Sequence, residues 1–388
     1  MNTIPRLLIF TVIVSLPIAH AQEQKPSDAS KNARDDAIDF NRAQQLMERR
    51  HGGEKLSADE EAYLQRAIEA RRRNPEAAGG GDSRTLLSRQ QTGLKPLCDM
   101  SAKDRYLDQD GGLYGDGRNV PPEDHQKAAE QALGQIQPLN AAGKPDPKGQ
   151  IVLVSISMSN ATQEFSRFKQ IADADKQKSS QLTIVDCAQG GQAMAEWVSA
   201  DAATWKEADR RIQRAGVSPE QVQVAWVKLA NKGPRGDLET HGRKLQKDTL
   251  AVIQNAKRKF PNLQIIYMSS RIYGGYSGGA LNPEPYAYES AFPVRWMIQD
   301  QIAGKPELNH DATHGAVKAP VLLWGPYMWA DGITPREDGL KWTRDDLGPD
   351  STHPSEAGRN KVAKMLLTFF SEDPLAKSWF LGKTQRVE

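Results

Sequence analysis

Residues 149–160 read GQIVLVSISMSN, in which a short apolar, β-branched run is followed by small and polar residues. The run at 151–155 is typical of a buried strand, and a helix is predicted shortly after it, at 165–174. Ser159 therefore lies between a strand and a helix. A side chain at such a junction can project from the edge of a sheet, and a serine there can also be an ordinary helix cap.

The same strand–helix unit recurs toward the C-terminus. Further strands are predicted at 182–186, 222–227, 263–268 and 321–324. Further helices are predicted at 237–259, within 285–303 and at 355–372, and a helix or a helical turn at 192–198. Repetition of this unit predicts a three-layer α/β/α fold with a central, mainly parallel five-stranded sheet. Reactive groups in such sheets gather at the carboxyl ends of the strands, so the residues after each strand are the candidates for chemistry.

The N-terminus has the three parts of a secretory signal peptide. Arg6 supplies the positive charge, residues 7–16 are apolar, and Ala19-His20-Ala21 fits the small-x-small cleavage rule. We expect cleavage after Ala21 and a secreted or periplasmic protein with no stable membrane span in its mature form. An uncleaved N-terminal anchor is the alternative.

A small helical hairpin is predicted at 35–73, before the α/β domain. Ser57-Ala58-Asp59-Glu60 is a capping box that starts its second helix. A Gly-, Pro- and Ser-rich linker follows at 74–93, and the main domain is predicted at 94–388. We expect the hairpin to act as a spacer or docking element.

The composition excludes some classes of protein. The chain has 388 residues and a formal net charge of +2, and its lysines and arginines form no run interleaved with aromatics, so no nucleic-acid partner is expected. Cys98 and Cys187 are the two cysteines. In an oxidising compartment they can pair in a disulfide, which we favour over two separate buried thiols. Their spacing is not that of a zinc site.

Polar residues and glycines follow the predicted strands in a definite order. Gly190 and Gly191 follow the second strand and can point backbone N–H groups into a cleft, although a tight turn explains them equally well. Asn231 follows the third strand, where its amide can donate to an oxyanion or satisfy its own loop.

Asp350 and His353 stand three residues apart, ahead of Pro354 and the last helix. The histidine can accept a proton from a nucleophile if the aspartate fixes its tautomer. The same pair could instead bind a metal or cap the helix.

In this order, these residues resemble the conserved blocks of the SGNH (GDSL) hydrolase superfamily, over residues 149–372. The resemblance implies a flavodoxin-like fold, no cofactor, and hydrolysis of acyl esters, often acetyl groups on carbohydrates. Ser159 would be the nucleophile, with Asp350 and His353 completing the triad. The N–H groups of Ser159 and of Gly190 or Gly191, with the Asn231 amide, would form the oxyanion hole.

Two blocks depart from the family pattern. The first usually reads Gly-Asp-Ser and is Ser157-Met158-Ser159 here, and the third usually reads Gly-x-Asn-Asp and is Leu229-Ala230-Asn231-Lys232. A glycan-binding or surface protein that keeps the fold without the chemistry is therefore the rival prediction. A metal-dependent hydrolase that uses His310 and His314 is a third one.

The substrate is predicted to be an acylated small molecule or polysaccharide. Polar and aromatic residues after the fourth and fifth strands and in the helical segment between them can shape a sugar-binding cleft, or they can be ordinary packing residues. The candidates for substrate contact are Arg271, Tyr273, Glu289 and Trp329. The sequence does not indicate the oligomeric state.

Overall fold

The computed structural model describes residues 46, 49–50, 56–73, 90–279 and 281–382. The predicted signal peptide lies outside these residues, as do most of the first helix of the hairpin and residues 74–89 of the linker. The chain divides into two compact units, Met1–Arg73 and Asn74–Glu388, and each is described by itself. None of the helices in the described ranges is long and apolar enough to cross a membrane.

In the N-terminal unit, helix α1 spans Ala58–Arg73. The predicted capping box at its start is confirmed. The Ser57 N–H donates to Glu60 Oε2 at 2.9 Å, and the Glu60 N–H donates to Ser57 Oγ at 3.3 Å. The helix buries Leu64 and Ala67 against other apolar residues of this unit.

The second unit is built on a five-stranded sheet in which every neighbouring pair of strands is parallel. Its strands are β1 Ile151–Ile156, β2 Leu182–Val185, β3 Val222–Lys228, β4 Ile265–Ser269 and β5 Val321–Trp324. The spatial order β2-β1-β3-β4-β5 is that of flavodoxin-like folds. The predicted fold class is confirmed.

Helices cover both faces of this sheet, which explains why its strands are almost continuously apolar. The helices are α2 Glu123–Gln135, α3 Ser159–Asp173, α4 Ala203–Arg214, α5 Leu238–Lys259, α6 Tyr286–Glu289, α7 Ala291–Ile302, α8 Glu356–Glu372 and α9 Lys377–Phe380. On one face, Phe165 of α3 stacks on Trp226 of β3, and Phe370 of α8 meets Tyr267 of β4 edge-on. On the other face, α5 packs beside α7.

The clearest differences from the predicted helices are at α2, α3 and α4. The helix after β1 begins at Ser159, six residues before the predicted start, because its first turn is polar and carries no apolar periodicity. Helices α2 and α4 were not predicted, since large apolar side chains are sparse in both.

The α/β unit begins before the predicted end of the linker. Thr92 and Gly93 donate three hydrogen bonds to the carboxylate of Asp331, at 2.6, 2.7 and 2.8 Å. The Ile333 N–H donates to the carbonyl oxygen of Gln90 at 3.0 Å. Residues 90–93 are therefore part of the folded domain and not of the linker.

The expected disulfide between Cys98 and Cys187 is wrong, because both are free thiols. Cys187 follows β2 and is fully buried. Cys98 follows Leu97, whose N–H donates to the hydroxyl of Tyr327, just after β5. Strands β2 and β5 are the two edges of the sheet, and four inter-strand spacings separate them by about 19 Å. A disulfide needs Cα atoms within about 7 Å of each other.

Candidate active site

Ser159 is the first residue of α3 and follows β1 after a two-residue connection. Met158 before it is extended, with φ −98° and ψ −170°, so the chain turns sharply from strand into helix at this point. The first N–H groups of a helix have no partners within the helix and carry its positive dipole end. The half-buried Ser159 hydroxyl thus lies where negative charge is favoured.

His353 lies between Ser159 and Asp350 and contacts both. Its Nε2 is 2.7 Å from Ser159 Oγ, and its Nδ1 is 2.5 Å from Asp350 Oδ2. An ionised carboxylate can only accept a hydrogen bond, so Nδ1 carries a proton. In the neutral ring Nε2 is then an acceptor, and the hydroxyl of Ser159 donates to it.

The loop before α8 holds Asp350 in place through backbone contacts. Its Oδ1 accepts from the N–H groups of Thr352 and His353, both at 3.0 Å, while Oδ2 faces the imidazole. Burial raises the pKa of Asp350, but the hydrogen bond and charge of His353 and the two N–H donors outweigh it and lower the pKa to about 2. Asp350 is therefore a carboxylate at any ordinary pH, as an orienting group must be.

The loops after β2 and β3 meet beside Ser159. The Gln189 N–H donates to the carbonyl oxygen of Ser157 at 2.9 Å, which ties the segment before Gly190 to the segment before Ser159. Met158 packs with Ala193 and Ala230 in a small buried cluster. The glycine turn itself has φ +70° at Gly191, a conformation that favours glycine, and a side chain on Gly190 would point into open space.

Asn231 joins the β2 and β3 loops to α5. Its Oδ1 accepts from the Ala195 N–H at 3.0 Å, and its Nδ2 donates to Asp248 at 2.6 Å. An amide nitrogen carries two N–H bonds, so one of them remains after the contact with Asp248. The oxyanion role of Asn231, Gly190 and Gly191 stays a prediction.

The four candidates for substrate contact lie in the core, which corrects their expected position on a cleft surface. Arg271, Tyr273, Glu289 and Trp329 are each 4% exposed or less. Glu289 accepts from the Tyr106 hydroxyl at 2.6 Å and contacts His241 at 2.5 Å. The aromatic side chains pack tightly after β4 and β5, with the rings of Tyr273 and Trp329 6.1 Å apart. Their polar and aromatic character reflects internal packing.

A buried ion pair beneath the start of α3 was not predicted. Lys228, the last residue of β3, contacts both oxygens of Glu164 on α3, at 2.5 and 2.7 Å, and both side chains are 0% exposed. Burial lowers the pKa of Lys228, and Glu164 opposes that shift. Arg271 is close enough to interact with both charges. A lysine ending the apolar strand VQVAWVK was the sequence signal for this pair.

Asn160 is a second residue that the sequence prediction missed. It is 2% exposed, and its Nδ2 donates to the carbonyl oxygen of Thr352 at 2.9 Å. A polar residue directly after a candidate nucleophile was the available signal. Among the described residues, no group of three or more His, Cys, Asp or Glu side chains is arranged to hold a metal ion.

No family model matches the chain, and no curated protein matches it. Similar solved structures include an Arabidopsis thaliana protein at 14% identity and a TM-score of 0.29, in which 53% of this chain spans 66% of that one. A proposed acylhydrolase from Bacteroides fragilis is 10% identical with a TM-score of 0.32, and 63% of this chain covers 93% of it. The periplasmic domain of a lipopolysaccharide acetyltransferase from Salmonella ser. Paratyphi A is 13% identical with a TM-score of 0.31, over 63% of this chain and 96% of that domain.

Proposed function

We propose that this protein is a serine ester hydrolase of the SGNH type. One observation carries the proposal, the continuous chain of contacts from Asp350 through His353 to Ser159. The same three residue types, linked in this order, activate a serine hydroxyl as a nucleophile on several unrelated folds. Here they lie at the carboxyl edge of a parallel sheet, where α/β proteins bind their ligands.

The reaction follows from the hydrogen-bonding roles of the three side chains. Ser159 Oγ attacks the ester carbonyl carbon while His353 Nε2 takes the hydroxyl proton. That proton passes to the leaving alcohol as the C–O bond breaks, which leaves an acyl-serine. Water, activated by the same histidine, then releases the carboxylic acid and restores Ser159. Asp350 keeps its charge throughout and holds the imidazole in orientation.

We assign the oxyanion hole to the N–H of Ser159, an N–H of the Gly190–Gly191 turn, and the remaining N–H of Asn231. Backbone N–H groups at a helix start need little reorganisation when charge develops. The joining of the three loops around Met158 supports this assignment. No cofactor takes part in the proposed reaction.

The proposed substrate is an acyl ester, most simply an acetyl ester on a small molecule or polysaccharide, and the proposed location is outside the cytoplasm. The resemblance to SGNH hydrolases supports the substrate class. The signal-peptide pattern that ends at Ala21 supports export. A screen for acetate released from acetylated polysaccharides would identify the alcohol part.

The test of this function is Ser159→Ala. We expect the variant to lose hydrolysis of p-nitrophenyl acetate by at least about 1,000-fold, because the nucleophile is gone, and to keep its melting temperature. Ser157→Ala is the matched control, since that hydroxyl is buried and donates to the carbonyl oxygen of Lys228. A fluorophosphonate should label Ser159 in the wild type and in this control. Full activity in Ser159→Ala would overturn Ser159 as the nucleophile, and no labelling of the wild type would favour the rival glycan-binding function.

A further inference from the structure

One side-chain hydrogen bond joins the neighbour of the nucleophile to the neighbour of the base. Asn160 follows Ser159, and Thr352 precedes His353. The Asn160 amide donates to the Thr352 carbonyl oxygen at 2.9 Å, across 192 positions of sequence. Any shift of the His353 loop relative to the start of α3 must therefore break or strain this bond.

The loop that carries His353 has a fixed internal shape. Asp350 Oδ1 binds the N–H groups of Thr352 and His353, and the Gly348 N–H donates to the carbonyl oxygen of His353 at 2.7 Å. These bonds close within the loop, so they set its shape without setting its distance from Ser159. That distance has to come from contacts with other elements.

Two such contacts hold Thr352. Its carbonyl oxygen accepts from Asn160, and its hydroxyl lies 2.9 Å from the hydroxyl of Ser277, in the segment after β4. Asn160 is 2% exposed, so its amide would be buried without this partner if the loop moved away. The loop is thus fixed from the α3 side and from the β4 side.

We propose that Asn160 and Ser277 are positioning residues. Their hydrogen bonds to Thr352 hold His353 at hydrogen-bond distance from Ser159. The inference rests on the proposed function. Neither side chain takes part in the proposed chemistry, and both act through the loop. A displacement of about 1 Å in a catalytic group can cost about 100-fold in rate. Asn160→Ala should therefore lower kcat by about 10- to 100-fold and leave KM within about twofold.

Asn255→Ala is the matched control. Asn255 on α5 is 4% exposed, and its Nδ2 donates to the backbone carbonyl oxygens of Trp197 and Val198 at 3.2 and 2.8 Å. The control removes the same kind of buried amide without touching the Ser159 site. It should lower the melting temperature to a similar extent and keep the wild-type kcat. Ser277→Ala is a milder variant, expected to lower kcat by a few fold because Ser277 is half-buried.

The experiment compares kcat, KM and the rate of fluorophosphonate labelling in the full chain. Slow labelling in Asn160→Ala, with normal labelling in Asn255→Ala, is the expected result. Wild-type kcat and labelling in Asn160→Ala would overturn the positioning role and leave the proposed function intact. If Asn160→Ala does not fold, a wild-type labelling rate in Ser277→Ala overturns it. Absence of Ser159 labelling in the wild type would overturn the proposed function, and this inference with it.

Discussion

Met158 stands where the family that this chain resembles usually has an aspartate, and its surroundings explain how the site accommodates it. The side chain is 7% exposed and packs on Ala193 and Ala230, two small residues from the loops after β2 and β3. An apolar residue before Ser159 is thus matched by small apolar neighbours. The departure from the usual tripeptide changes the packing around the nucleophile, while Ser159 keeps its place at the start of α3.

Asp350 offers a pH-dependent prediction at the same scale. Its pKa falls from 3.8 to about 2 on folding, so the folded state binds fewer protons than the unfolded state between these values. The stabilisation is complete above about pH 4 and is lost as the pH falls toward 2. Asp350→Asn removes this dependence. The stability gap between wild type and variant should shrink by roughly 1.5 kcal/mol from pH 5 to pH 2.5, measured by urea unfolding.

The same variant should lower kcat by about 100- to 10,000-fold, since Asn can present its N–H group to Nδ1 and favour the wrong tautomer. Asp346→Asn is a useful comparison, because Asp346 is buried nearby and binds Thr343 and Lys361 instead of the imidazole. If the difference in free energy of unfolding between the wild type and Asp350→Asn does not change with pH, the contacts with His353 do not stabilise the Asp350 carboxylate.

At the scale of elements, the Glu164–Lys228 pair fixes the start of α3 against the end of β3. Removing one member of a buried pair leaves an unpaired buried charge and typically costs about 3–5 kcal/mol. Glu164 also interacts with the charge of Arg271. Removing Glu164 therefore leaves two buried cations, Lys228 and Arg271, without this carboxylate. We therefore expect Glu164→Leu to cost more than Lys228→Met in urea unfolding.

The double variant Glu164→Leu/Lys228→Met should be more stable than Glu164→Leu alone but less stable than the wild type, because Arg271 keeps its charge. If the two single variants lose the same free energy of unfolding, Glu164 does not stabilise the charge of Arg271. The Lys169–Asp173 pair is a suitable control on the same helix, since both of its side chains are about 40% exposed. Breaking that pair with Lys169→Met should cost no more than about 1 kcal/mol.

Elements with a strong apolar pattern could be predicted from sequence, and elements without one could not. Strand β5 was predicted at its observed bounds, 321–324, because a run of four apolar residues ends abruptly at Gly325 and Pro326. The first turn of α3 was missed because Ser159, Asn160 and Thr162 show no helical apolar period. Their side chains face the site and the half-buried Asp186 instead of forming an apolar stripe.

At the scale of the whole molecule, sequence order indicated which loops share an edge but not which side chains are exposed there. The rule that parallel strands end at one edge predicted that Ser159 and the Asp350–His353 segment would meet. It could not show that Arg271 and Trp329 turn into the core, because burial depends on packing between distant segments. The predicted disulfide was wrong for the same reason, because whether two cysteines can pair depends on the distance between them in the fold, which the sequence does not give.

The boundary of the α/β unit gives the last prediction. Asp331 is 3% exposed, and the three hydrogen bonds to its carboxylate come from Thr92 and Gly93. A protein that starts at Leu94 leaves this buried carboxylate without those donors, whereas one that starts at Gln90 keeps them. Hydrogen bonds to charged groups contribute about 1.5–3 kcal/mol each, so the shorter protein should be less stable by about 3 kcal/mol or more in urea unfolding. Thr92→Ala in the longer protein loses only the hydroxyl contact, so its stability should lie between those of the proteins that start at Gln90 and Leu94. Equal stability of the proteins that start at Gln90 and Leu94 would place the start of the folded unit after Gly93, as the composition of the linker first indicated.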